Sequence, residues 1–148
     1  IFDPGQGLPM FNGEELEHFL ELADWAVVND YEAELLKAKT GLSLEAIHQK
    51  VKAFIVTLGA EGSKIYSGEN VYDIPAVKPH AALDPTGCGD AYRAGLLFGL
   101  MEGLDWDITG RIASLIGAIK IESQGTQNHA FTLGAFKERF HDAFGQSF

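Results

Sequence analysis

Trp25-Ala26-Val27-Val28, closed by Asn29, and Phe54-Ile55-Val56-Thr57-Leu58 are continuous apolar runs, not alternating ones. A strand with one face in water alternates, whereas a strand covered on both faces does not, so these two runs read as strands of a parallel sheet packed between helices. The segments around them fit. Asn12 followed by Glu15 has capping-box spacing, and Leu16, Phe19, Leu20 and Ala23 recur at helical intervals. Between the two runs, the pattern predicts a helix from about Tyr31 to Lys39 with Gly41 as its C-terminal cap. A further helix from Leu44 to about Lys50 follows Ser43. Beyond Gly59-Ala60-Glu61-Gly62, Lys64-Ile65-Tyr66 and Val71-Tyr72-Asp73-Ile74 alternate and read as an antiparallel hairpin at the sheet edge. A loop with Pro75 and Pro79 leads to Asp84-Pro85-Thr86-Gly87-Cys88-Gly89-Asp90. Helices are expected from Ala91 to about Glu102, from about Trp106 to Ile121 and from about Leu133 to Phe144. Strands alternating with helices predict an α/β fold, three-layer αβα, with a mainly parallel sheet. Ligands in such folds bind beyond the C-terminal strand ends, where the motifs below are expected to lie.

Composition narrows the function classes. The chain has 148 residues, 46% hydrophobic and 22% charged, with no apolar run long enough to span a membrane. Its 11 Lys and Arg against 21 Asp and Glu give a net charge of −10, with no basic face, which argues against nucleic-acid binding. The single cysteine, Cys88, excludes an internal disulfide framework and a Cys-rich zinc site, and a reducing cytoplasmic setting is the expectation. His18, His48, His80, His129 and His141 show no metal-ligand spacing and are expected to be solvated. Ile1-Phe2 has strand character without an initiating Met. The chain therefore reads as the rear part of a longer protein, and the isolated piece is expected either to associate with itself or to need the missing half.

Gly87-Cys88-Gly89-Asp90 carries the chemistry. Two glycines flanking a small residue at a helix start let backbone N–H groups converge where the helix dipole favours an anion such as phosphate. Asp90 in that first turn can accept a proton from an attacking hydroxyl. Plain helix capping by the same residues is the competing reading. Cys88 at a helix start suggests a lowered thiol pKa, but no His or Asn partner lies near it in sequence. The Walker A pattern fails because no Gly-Lys pair exists, and the dinucleotide fingerprint fails because Tyr92 stands at the third glycine position.

Asp84-Pro85-Thr86-Gly87-Cys88-Gly89-Asp90 resembles the D-T-x-G-A-G-D signature of the ribokinase-like (PfkB) family of sugar and nucleoside kinases. Asn29-Asp30-Tyr31-Glu32 is similar to that family's N-x-x-E, and Thr57-Leu58-Gly59-Ala60-Glu61-Gly62 to its T-L-G-x-x-G, in the same order. Pro85 and Cys88 depart from the signature without removing a needed group. The resemblance spans residues 1–148 as the C-terminal part of a ribokinase-like domain, lacking the N-terminal substrate and lid half. It implies transfer of the ATP γ-phosphate to an alcohol group. Asp90 would be the base and the N–H groups of Gly87, Cys88 and Gly89 the anion hole. Thr57, Gly59, Gly62 and Asn128 would shape the nucleotide site, and Asn29 and Glu32 would organise Mg²⁺ through water. Asp84 and Thr86 would hold a monovalent cation such as K⁺. Gln124 to His129 would pass near adenine, or form an ordinary polar connection. Asp3-Pro4-Gly5-Gln6 and Gly125-Thr126-Gln127 look most like bacterial adenosine-kinase-type members, so adenosine is the favoured acceptor. A ribose- or fructose-type sugar kinase and a non-catalytic nucleotide-binding fragment are the alternatives.

Overall fold

The computed structural model describes residues 1–148, which divide into two compact units, Ile1–Asp73 and Ile74–Phe148. The first is built on a four-stranded sheet in the order β1 (Trp25–Asn29), β2 (Ala53–Thr57), β3 (Ser63–Ser67) and β4 (Asn70–Ile74). β1 and β2 are parallel, with Val27 opposite Ile55 and Asn29 opposite Thr57. β2 and β3 are antiparallel, with Ile55 opposite Ile65. The sheet is therefore mixed, and the mainly parallel sheet expected from sequence is corrected. Continuous apolar runs do mark the parallel pair, but the sheet continues through β3 and the hairpin to β4. Phe2 adds one parallel bridge beside β1, its N–H donating to the Trp25 carbonyl at 2.7 Å.

Helices α1 (Gly13–Leu22), α2 (Asp30–Thr40) and α3 (Leu44–Gln49) complete this unit. Asn12 caps α1 in the expected box, and Gly41 ends α2 in the left-handed conformation at φ 71°. Leu16 and Leu20 from α1, Leu36 from α2 and Ile47 from α3 form one apolar cluster with Ala26, Val28, Phe54 and Val56 of the strands. The strand residues in that cluster are spaced by two, as the pleat requires. Burying side chains of this size stabilises the fold by roughly 1.5–3 kcal/mol each. The Lys39 ammonium fastens the turn before α1 by donating to the carbonyls of Pro9 and Phe11 at 2.9 and 2.7 Å.

The second unit is helical: α4 (Cys88–Met101), α5 (Trp106–Ile121) and α6 (Leu133–Phe144). Ile112, Leu115 and Ile119 of α5 pack with Phe136 and Phe140 of α6. α4 lies close against α5 because its facing positions are glycines. A Cβ at Gly95 would stand 2.5 Å from the Ala113 Cα, and one at Gly99 would run into the Thr109 side chain. α4 starts three residues earlier than the pattern suggests, at Cys88, with Gly87 as its N-cap and Asp90 in its first turn as expected. Residues 75–87 contain no strand, so the motif preceding α4 follows a loop instead of the strand end expected for it. No helix is long and apolar enough to cross a membrane.

Candidate active site

In the first unit the candidate residues gather at the C-terminal ends of the parallel strands. Asn29 ends β1 and Thr57 ends β2, directly opposite each other in register. Asn29 also starts α2, and its motif partner Glu32 closes a capping box. Asn29 Oδ1 accepts the Glu32 N–H at 2.7 Å, while Glu32 Oε2 accepts the Asn29 N–H at 2.8 Å. The box fixes both side chains on rigid elements. Thr57 leads into the turn Gly59–Glu61, closed by the Leu58 N–H donating to the Gly62 carbonyl at 2.8 Å. Gly62 sits at φ 99°, ψ −135°, a conformation that only glycine adopts without strain.

The donor set bears on the magnesium that the motif implies. No group of three or more His, Cys, Asp or Glu side chains could enclose a metal. Glu32 accepts in the capping box through Oε2 and keeps Oε1 outside it. That fits an ion that retains its water shell and is held chiefly by phosphates, as Mg²⁺ usually is.

In the second unit the site is built around the start of α4. Asn12, Asn29, Ser43, Asp105 and Thr132 each cap a helix with a side-chain oxygen, whereas α4 begins at Gly87 with no side-chain cap. Gly87 is left-handed at φ 84°, and a Cβ there would stand 3.1 Å from the Thr126 carbonyl oxygen. The Cys88 N–H, assigned to the anion from sequence, donates instead to the Pro85 carbonyl at 3.1 Å. The N–H groups of Gly89 and Asp90 remain as donors of the first turn, in the positive field of the helix end. Asp90 is exposed, and its Oδ1 accepts from Arg93 Nη2 at 2.7 Å, one helical turn on. Arg93 was not singled out from sequence, although its i, i+3 spacing from Asp90 is the signal for it. Burial pushes the Cys88 thiol up, outweighing the Lys120 charge, against the lowering that a helix start favours.

Asp84 organises the loops beneath this helix start. Its Oδ1 accepts the Thr86 N–H at 2.9 Å, and Oδ2 accepts the Gly125 N–H at 2.8 Å and the Gln124 amide at 3.4 Å. Bonds from the Thr86 side chain, the Thr86 N–H and the Gly125 N–H hold its pKa at about 2. The Asp84 carbonyl accepts from Lys120 Nζ at 2.6 Å. Lys120 was also missed from sequence; its signal is a lysine embedded in the apolar stretch Ala118-Ile119-Lys120-Ile121. Asn128 points back into its own loop, its amide donating to the Gln124 carbonyl at 2.8 Å. His129 differs from the solvated residue expected, since its Nδ1 is buried without a hydrogen-bond partner. Glu122 receives a two-pronged contact from Arg139, at 2.6 and 2.9 Å, and the His80 N–H at 2.7 Å, tying the loop before Asp84 to α5 and α6. The Arg139 guanidinium, followed by the His80 N–H, holds the Glu122 carboxyl below its usual range.

The profile of the PfkB carbohydrate kinases matches residues 2–132. The chain belongs to the PfkB family. Among PfkB relatives, the nucleoside kinase of Methanocaldococcus jannaschii is 34% identical over 93% of this chain and 46% of its own length. The ribokinase of Lactococcus lactis is 32% identical over 83% of this chain and 41% of its own length. The structure of Burkholderia thailandensis nucleoside kinase in complex with inosine superposes with a TM-score of 0.97 at 49% identity. It covers 99% of this chain and 48% of that one. The same kinase is also known in complex with ADP-inosine. The chain spans about half the length of the relatives it matches. The mixed sheet and its flanking helices are those of the ribokinase-like fold.

Proposed function

We propose that this chain forms the C-terminal part of a three-layer αβα kinase domain that transfers the γ-phosphate of ATP to an alcohol group of a nucleoside. The observation that carries the reading is the uncapped start of α4 at Gly87, with Asp90 in its first turn. Phosphoryl transfer needs charge stabilisation and positioning more than covalent chemistry. The Gly89 and Asp90 N–H groups and the helix dipole supply the first, toward the equatorial oxygens of the phosphoryl group. The Asp90 carboxylate receives the proton of the attacking hydroxyl, and Arg93 orients it through Oδ1. Thr57, Gly59 and Gly62 shape the nucleotide loop, with Asn128 on the adenine side. Asn29 and Glu32 would hold Mg²⁺ through water, and the ion would supply neutralisation of the phosphate charges. The free thiol of Cys88 suits a cytoplasmic enzyme.

A nucleoside acceptor is favoured over a sugar because the 49%-identical neighbour is a nucleoside kinase known with inosine, and adenosine is one candidate within that class. The Lactococcus ribokinase keeps a sugar acceptor as the second reading. The deciding assay is ADP release with adenosine, inosine and a panel of sugars, for wild type and Asp90→Asn. Removing a positioned base should lower kcat at least ~10²-fold. Turnover by Asp90→Asn close to that of wild type rejects the assignment of the base. ATP binding by calorimetry, with no acceptor phosphorylated, would support a non-catalytic nucleotide-binding module.

A further inference from the structure

Lys120 is fully buried, and no other charged side chain of the protein is. Its Nζ lies among oxygens: the Asp84 carbonyl at 2.6 Å and the Ser123 carbonyl at 3.4 Å. It also sits in the last turn of α5, where the helix dipole favours a positive charge. Three stretches of chain meet there. Leu83 and Asp84 donate their N–H groups to the Ile121 carbonyl at 2.8 and 3.2 Å, and Gly125 donates to the Asp84 carboxylate. Thr126, next in that loop, packs against Gly87 at the start of α4.

The family resemblance implies a monovalent cation at Asp84 and Thr86, and the atoms present do not fit one. Both Asp84 carboxylate oxygens accept hydrogen bonds, and the Asp84 main-chain oxygen is taken by the ammonium. A second cation on these oxygens would also meet the repulsion of the Lys120 charge beside them. Converging carbonyls in a buried place still need a positive partner, and Lys120 supplies it with directed N–H donors.

We propose that the Lys120 ammonium is the resident cation of this site. It ties the Asp84 segment to the 123–126 loop and so positions the start of α4, and the protein does not respond to K⁺. Lys120 is a positioning residue, acting through the two loops and not on the phosphoryl group. Only the consequence for catalysis rests on the kinase reading.

The test is thermal melting of the protein in KCl, NaCl and choline chloride at one ionic strength, for wild type, Lys120→Met and Lys120→Gln. Wild type should melt at the same temperature in all three salts. Lys120→Met keeps the stem but removes the donors. It should melt lower in choline chloride and recover part of the loss in KCl, saturably, as linked binding requires. A wild-type melting temperature that rises to saturation with KCl but not with choline overturns the proposal, because a separate ion site then exists. A folded Lys120→Met that ignores KCl overturns it too, because Lys120 then only fills space. Lys120→Gln keeps amide N–H donors without the charge and serves as the folding control; if Lys120→Met does not fold, the wild-type comparison decides. No reading uses phosphoryl transfer, so failure to phosphorylate any acceptor would reject the kinase assignment and leave this result standing.

Discussion

Gly95 and Gly117 are both helix-interior glycines of the second unit, and changing each to alanine should shift stability in opposite directions. Alanine is favoured over glycine in a helix interior by roughly 1 kcal/mol, since glycine loses more backbone entropy on folding. At Gly117 the added methyl meets nothing nearer than the Cys88 carbonyl oxygen at 3.9 Å, an ordinary contact, so the propensity gain should survive. At Gly95 the methyl would stand 2.5 Å from the Ala113 Cα and 2.9 Å from its N, which are backbone atoms of α5 and cannot rotate away. Forcing α4 and α5 apart costs about 1–3 kcal/mol for an overpacked core site, and a backbone obstacle belongs at the upper end. Set against the gain of about 1 kcal/mol, the net loss for Gly95→Ala is about 2 kcal/mol. With a urea m-value of about 2 kcal/mol/M, the unfolding midpoint should fall by about 1 M for Gly95→Ala and rise by up to about 0.5 M for Gly117→Ala. Urea titration followed by circular dichroism measures both. A Gly95→Ala midpoint at or above wild type would refute the close approach of α4 to α5. Midpoints that both rise would show that propensity, not packing, governs both sites, and midpoints that both fall would refute the open space at Gly117.

Asp84 sets an acid limb. Its folded pKa of about 2 lies below the ordinary 3.8, so its contribution is complete above about pH 4 and is lost as pH falls through 2. The stability difference between wild type and Asp84→Asn should therefore shrink from pH 4 to pH 2 in acid-dependent melts, and a constant difference would contradict the bonds from Thr86 and Gly125. The Cys88 thiol, pushed up by burial, should alkylate with iodoacetamide more slowly than a free cysteine near neutral pH; faster reaction would mean the helix dipole outweighs burial.

The elements were legible in the sequence wherever one local force set them. Asn12 with Glu15, Ser43 and Gly41 marked helix ends because capping acts within a few residues, and each stands where it was placed. Close packing of α4 shows in the structure, where Gly95 and Gly99 face Ala113 and Thr109. Sheet direction was not readable from the apolar runs alone. Ala53–Thr57 is buried along most of its length whether its neighbours run parallel or antiparallel, and it has one neighbour of each kind. Lys120 and Arg93 were missed for a related reason. Their roles depend on what the chain brings to them, the Asp84 carbonyl from 36 residues away and the Asp90 carboxylate across one helical turn.

The Asn-x-x-Glu spacing occurs twice, and the two copies show how far a motif carries by itself. Asn12 with Glu15 and Asn29 with Glu32 form the same reciprocal capping box, with all four hydrogen bonds between 2.7 and 2.9 Å. Spacing therefore specifies a helix start and nothing more. The first box precedes a helix that follows a turn. The second stands at the C-terminal end of β1, with Thr57 of β2 opposite it, where ligands of α/β sheets bind. Capping and ligand binding are not competing readings of Asn29 and Glu32. The cap uses Oε2 of Glu32 and leaves Oε1 outside it, so the side chain is already ordered at the strand end. The start of α4 works by the opposite device. Every other α-helix start is satisfied by a side-chain cap, and at Gly87 the missing cap leaves N–H donors that an anion can occupy.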